Sequence, residues 1–394
     1  MESIASRSMS VAVAPMAVAG LSLAIWLYLL LFRGFFWLAH LPAPMPPPAR
    51  WPSVVAVVPA RNEAAVVGEA VSSLLAQDYP GRFSVVLIDD HSEDGTADIA
   101  RAAAARLGKS ERLRVLGARA LPPGWTGKLW ALAEGVRQVE EQGDEPELFL
   151  FTDADIAHHR SNLAQLAARL EGDGRDLVSL MVLLRCRSLA ERFMVPAFVF
   201  FFAMLYPFAW SNDPSKNTAA AAGGCVLLRR SAYRRIGGFA AIRNALIDDC
   251  ALAKAVKQSG GSIWLGLTRE TRSLRPYPGL GDIWRMIART AYAQLQHSPL
   301  LLAGTVLGLA VTYLVPPALV LAGGAAAWLA GTAWLAMSLA YLPMVRFYRL
   351  APLWAPLLPG IALVYLAATL DSARRHWQGA GGEWKGRVQW RSQS

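Results

Sequence analysis

The chain has 394 residues, enough for one large catalytic domain plus membrane segments. Hydrophobic residues make up 54% and charged residues only 17%, against roughly 25% charge in soluble proteins, which excludes a chain solvated wholly by water. The net charge of +10 points to an anionic bilayer surface rather than nucleic acid, because the basic residues are dispersed or flank apolar runs and no basic-aromatic pattern repeats.

In chain order, residues 11–32 form a nearly unbroken apolar run of bilayer-spanning length. It is too long for the apolar region of a secretory signal, and no small-x-small cleavage site follows. Residues 1–33 therefore read as a retained transmembrane signal anchor. The following LPAPMPPPA stretch makes 34–50 a stiff, polyproline-like linker.

Residues 51–298 then read as an α/β domain. Strands are predicted at 54–58, 85–88, 113–116, 148–151 and 177–184, and helices at 63–76, 97–107, 129–140 and 163–170. This alternation predicts βαβ units in a mostly parallel, Rossmann-like sheet. The apolar stretch 193–210 lies inside this region and reads as a helix in the headgroup layer rather than a crossing one. Cys186, Cys225 and Cys250 show no ligand spacing and no disulfide framework, which fits a reducing compartment. The pair His158-His159 reads as a solvated loop rather than a zinc site.

From 299 to 371 the chain is apolar again, with plausible spans at 300–322, 323–344 and 352–370; Pro316 and Pro317 must kink the first. Four crossings from an outside N-terminus would leave the basic tail 372–394 (Arg374, Arg375, Lys385, Arg387, Arg391) outside, against the positive-inside rule. The 352–370 segment, with Pro356 and Pro359-Gly360, is the best candidate for a re-entrant stretch.

Four acidic features carry the chemistry: PARNE over 59–63, DDHSEDGT over 89–96, TDAD over 152–155, and LIDD ending at Asp248-Asp249, which opens a helix. Any one alone has a cap or turn as its alternative. Three of them, however, follow predicted strands, and the C-terminal ends of parallel strands share one ligand-binding edge. A leaving diphosphate needs its charge offset by a hard divalent cation, which prefers carboxylate oxygens. An extended Asp153-Ala-Asp155 would point both carboxylates to one side, and Asp249 is suited to be a separate general base.

With GKLWAL and GGCVLLRRSAYRRIGGF added, the ordered set resembles the family 2 glycosyltransferases of the GT-A fold over about 54–298. PPGWTGKLWAL, RTAYAQL, the three apolar stretches and the terminal GGEWKGRVQW resemble the hopanoid-associated branch in particular. The resemblance implies that Pro59, Arg61, Glu63 and Asp90 line the nucleoside pocket and that Lys128 sits near the diphosphate. It implies Asp155 as the principal ligand of Mg2+ or Mn2+, with Asp153 towards ribose and donor sugar. Asp249 would be the base of an inverting displacement, with Asp248 where the family often has Glu.

In place of the Gln-x-x-Arg-Trp signature of processive synthases stands WRMIART over 284–290. A single transfer is therefore expected rather than polymerisation. Arg285 and Arg289 share a helix face and either clamp the diphosphate or face anionic lipid. Gly223-Gly224 and Gly237-Gly238 allow tight turns or close approach, and Arg229, Arg230, Arg234 and Arg235 read by default as ordinary surface.

The expected activity is sugar transfer from a nucleotide donor, UDP-linked by default, to a membrane lipid acceptor linked to hopanoid biosynthesis. The expected setting is the inner membrane, with the catalytic domain cytoplasmic. A polyprenyl-phosphate sugar synthase and a non-enzymatic membrane scaffold stay open as alternatives.

Overall fold

The computed structural model describes residues 2–379, 383–384 and 387–388, with side chains over 14–379. Lys385, Arg391 and most of GGEWKGRVQW lie outside the described residues. The chain forms two compact units, one built on His40–Arg185 and Trp210–Pro276, the other on residues 2–39, Cys186–Ala209 and residues 277–379.

The first unit is built on strands Val54–Ala60 (β1), Phe83–Asp89 (β2), Leu113–Gly117 (β3), Leu148–Phe151 (β4), Ile156–Ala157 (β5), Leu177–Leu183 (β6), Val226–Arg229 (β7) and Ile263–Ser273 (β8). Their order is β3-β2-β1-β4-β7-β6-β8-β5. β1 pairs in parallel with β2 and β4, β2 with β3, and β6 with β8. β7 runs antiparallel between β4 and β6, and β5 antiparallel to β8. The expected parallel-dominated α/β sheet is present, and all five predicted strands are in it.

Alternation along β1 explains the layering. Val54, Ala56, Val58 and Ala60 join one core with helices Val67–Leu75, Thr96–Arg106 and Asn162–Gly172. Val55 and Val57 join the other, with helices Gly127–Glu141 and Asp248–Gln258. Burial on both faces is why the strand reads as a continuous apolar run. Gly135 has a packing reason: a Cβ there would lie 2.3 Å from Val57 Cγ1.

β5, β7 and β8 were not anticipated. β5 and β7 are only two and four residues long. The outer half of β8 carries Arg269, Glu270 and Arg272, so its apolar signal fades where it pairs with β5.

In the second unit, four stretches among the described residues are long and apolar enough to cross a membrane: Ala14–Phe32, Pro299–Ala322, Ala326–Phe347 and Pro352–Trp377. Pro316 and Pro317 open the last part of the first C-terminal stretch. They lack N–H donors, the helix opens into a π turn at Ala310–Leu314, and Trp26 Nε1 donates to the stranded Thr312 carbonyl at 2.9 Å. Helix Leu189–Leu205 covers most of the predicted interfacial stretch, and its Phe200 packs on Phe36, Phe201 and Tyr341.

The last segment, Pro352–Trp377, is held by its neighbours. Trp334, midway along Ala326–Phe347, donates to the Pro356 carbonyl at 3.0 Å, and Tyr365 Oη donates to the Met194 carbonyl at 3.1 Å. Its far end lies against helix Leu280–Gln294, where Trp284 donates to Asp371 at 2.9 Å and the Tyr292 N–H donates to Ser372 Oγ at 3.0 Å.

Candidate active site

The C-terminal ends of β1, β2 and β4 share one edge because the three strands are parallel neighbours. Pro59 is tolerated inside β1 for a specific reason. Ala60 accepts from Asp90 N–H on the β2 side and Val57 accepts from Thr152 N–H on the β4 side, so position 59 faces the side that β4 has already left. The loops beyond β1 and β2 are stitched together. Asn62 N–H donates to Ser92 Oγ (3.0 Å), Glu63 N–H to Thr96 Oγ1 (2.8 Å) and Ala64 N–H to Asp94 (2.9 Å). Arg61 donates to the Asp90 carbonyl at 2.5 Å and lies 3.9 Å from the buried Asp90 carboxylate. Pro59, Arg61, Glu63 and Asp90 thus share one rim.

Lys128 is positioned by its helix. Thr126 caps Gly127–Glu141, accepting from Leu129 N–H, and buried Glu134 takes both Arg119 Nε (2.8 Å) and a terminal nitrogen (2.7 Å) to pin the preceding loop. Lys128 Nζ then lies 3.0 Å from Asp153 and 3.0 Å from Asp248. Burial alone would lower the Lys128 pKa, but Asp153, Asp248 and Asp249 together raise it well above the ordinary value, so it stays charged.

Asp248 and Asp249 open helix Asp248–Gln258, where its N-terminal N–H groups favour negative charge. Asp249 does more than cap. Its carboxylate accepts from the Gly223 N–H at 2.8 Å and the Cys250 N–H at 2.7 Å. Burial and the neighbouring Asp248 push its pKa up to about 6, against the opposing pull of Lys128 and the two N–H groups. Gly223 belongs here for close approach: a Cβ would lie 3.0 Å from Lys128 Nζ and 3.4 Å from Asp249 Oδ2. Pro59, Lys128, Asp153, Gly223, Asp248 and Asp249 line one small open cleft.

The Asp-x-Asp departs from the expected geometry. Ile156 N–H donates to the Asp153 carbonyl at 3.3 Å, closing a turn instead of an extended strand, so the two carboxylates meet different cations. Asp153 faces Lys128. Asp155 accepts from Arg275 Nε at 2.8 Å and Ser273 Oγ at 3.4 Å, and a second Arg275 nitrogen reaches Glu63 at 2.6 Å. Arg275 escaped the sequence reading because the β5–β8 pairing that seats it rests on two residues. The one available signal was a basic residue closing the alternating TRETRSLR stretch.

A divalent ion fits this donor set by its chemistry. Among the described residues no three His, Cys, Asp or Glu side chains gather as a protein-only metal site. Mg2+-type ions instead take one or two carboxylates and complete their shell with substrate phosphates and water. Three carboxylates share Lys128, so the cleft keeps an excess of negative charge that an added cation would offset.

The other expected residues fall as follows. Arg285 pairs with Asp282 at 2.5 Å on helix Leu280–Gln294, which belongs with Arg289 to the unit of apolar helices. Arg229, Arg230, Arg234 and Arg235 pair with Glu171, Glu145, Glu140 and Asp176, as surface residues do. Gly237 and Gly238 have left-handed φ of 79° and 65°, so a turn explains them. His158 is a correction: it is buried rather than solvated. Its Nε2 meets Thr152 Oγ1 at 2.8 Å and its Nδ1 meets Asn162 at 3.0 Å, while Thr152 donates to the Gly224 carbonyl. Burial lowers its pKa to about 3, so this neutral ring braces the floor beside Asp153.

The model of the family described as "Glycosyltransferase like family 2" matches residues 52–293. Among curated proteins, the chain is 27% identical over 128 residues to glycosyltransferase AglE of Haloferax volcanii, covering 32% of this chain but only 38% of that protein's length. Among solved structures, mannosyltransferase PcManGT from Pyrobaculum calidifontis, in complex with GDP-Man and Mn2+, aligns with a TM-score of 0.54 at 21% identity, covering 92% of this chain and 99% of that one. Glucosyl-3-phosphoglycerate synthase from Mycobacterium tuberculosis aligns more distantly, with a TM-score of 0.40 at 18% identity over 62% of this chain and 79% of that one.

Proposed function

The chain belongs to the glycosyltransferase-like family 2, and on that premise we propose that it moves one sugar from a nucleotide-sugar donor to a lipid acceptor by a single inverting displacement. The observation that carries this reading is the shared cleft of Lys128, Asp153, Asp248 and Asp249 at the parallel strand ends. Pro59, Arg61, Glu63 and Asp90 form the rim proposed to receive the nucleoside. Asp155, with Asp153, would hold a Mg2+ or Mn2+ ion, which when bound supplies the positive charge that stabilises the leaving diphosphate. Lys128 adds a fixed ammonium to the same task.

Asp249 takes the proton from the acceptor hydroxyl as its oxygen attacks the anomeric carbon, and the bond to the diphosphate breaks. A conjugate acid near 6 suits that role, since the carboxylate is mainly ionised at neutral pH yet basic enough to accept a proton. Arg285 and Arg289, on the apolar unit, are proposed to serve anionic headgroups or the leaving diphosphate. The apolar helices support an acceptor presented from the bilayer. The hopanoid link rests on the sequence resemblance, including a terminal segment described only at 383–384 and 387–388.

Titration of the purified protein with UDP- and GDP-sugars in Mn2+ or Mg2+ tests the donor site. Binding of one nucleotide class is expected, and no binding of any donor would remove the basis of this reading. Asp249→Asn separates acceptor classes. A loss of about 10²–10⁴ in turnover indicates a hydroxyl acceptor. Near-normal turnover, with Asp155→Asn inactive, indicates an already ionised polyprenyl phosphate.

A further inference from the structure

No sequence motif singles out Arg275, and its contacts give it a task. Resting on the donor-site reading above, we propose that Arg275 is a built-in countercation that competes with the divalent ion for Asp155. Its Nε bonds Asp155 at 2.8 Å and another of its nitrogens bonds Glu63 at 2.6 Å. The Asp155 and Glu63 side chains are only 9% and 11% exposed, and Arg275 is 33% exposed. Two nearly buried carboxylates from separate loops thus share one planar cation. Because guanidinium does not lose its proton at accessible pH, the clamp cannot relax by losing its cation's charge.

An ion that takes Asp155 must therefore displace Arg275 from it. The displaced guanidinium can keep its Glu63 contact, and its fork of N–H donors suits a diphosphate. Metal entry, release of the clamp and readiness for the donor are then coupled events. Arg275 acts as a positioning residue that disfavours an ion without its nucleotide.

Mn2+ binding to the full chain in detergent, without nucleotide, tests this through loss of the free-ion EPR signal. Arg275→Gln is expected to bind Mn2+ about fivefold or more tighter than wild type. Asp155→Asn in the same background should cancel the gain. A merely structural role would give the opposite sign, since a loosened site binds more weakly. Thermal unfolding checks the fold. If R275Q does not fold, Arg275→Lys replaces it, and its ammonium without a fork should give an intermediate tightening. Equal or weaker Mn2+ affinity in the folded variant would overturn the proposal. If Mn2+ binds wild type only with UDP or GDP and the Arg275 variants change nothing, this proposal alone fails. No Mn2+ binding by any protein, even with those nucleotides, overturns the donor-site reading as well.

Discussion

Asp249 gives the account its pH signature. Its folded pKa of about 6 lies above the ordinary 3.8, and the ionised form would be the proposed base. Turnover should fall as pH drops through about 6 and reach a plateau above it, as read from initial rates. The same shift fixes the sign of its effect on stability. Folding favours the protonated carboxyl, so the contribution is full below about 4 and is lost as pH rises through 6. Asp249→Asn should therefore lose activity while its Tm at pH 8 stays equal to or above that of wild type.

Lys128→Met should lower both activity and stability. Three carboxylates lose their shared cation, for a destabilisation of about 3 kcal/mol at pH 8 that shrinks toward pH 5 as Asp249, with its pKa of about 6, takes up a proton. Chemical denaturation at the two pH values reads it. Asp249 and Lys128 were legible because each sits in a local motif of fixed spacing. Arg275 and His158 were not, because what defines them is a partner brought near by strand pairing or burial.

At the scale of elements, β1, β2 and β4 were legible as apolar runs since both faces are covered, and their order predicted a common edge for the acidic loops. β5 and the outer half of β8 carry too little apolar pattern to be seen, and with them went the turn that splits Asp153 from Asp155. Helix Gly127–Glu141 rests directly on β1 at Gly135. Gly135→Ala should cost about 1–3 kcal/mol by overpacking against Val57, measured as a lowered denaturation midpoint with the m-value unchanged.

For the molecule as a whole, we propose that the last segment of the apolar unit is re-entrant. Arg33 ends Ala14–Phe32, Arg346 and Arg349 end Ala326–Phe347, and Arg285 and Arg289 precede Pro299–Ala322. The turn at Pro356 beside Trp334, and the return of Asp371 to Trp284, would bring Arg374 and Arg375 to that same end. Three crossings plus a re-entrant hairpin would then gather these arginines on one side, as the positive-inside rule requires. Reporter fusions should place the C-terminus cytoplasmic and the Gly323-Gly324 turn on the opposite face.

The most direct test of the central claim incubates membranes carrying the full chain with labelled UDP- and GDP-sugars and Mn2+, then extracts the lipids. Label is expected in a lipid product from one donor class with wild type, lost with chelator and with Asp155→Asn. No labelled lipid from any donor, or labelling that Asp155→Asn leaves intact, would contradict it.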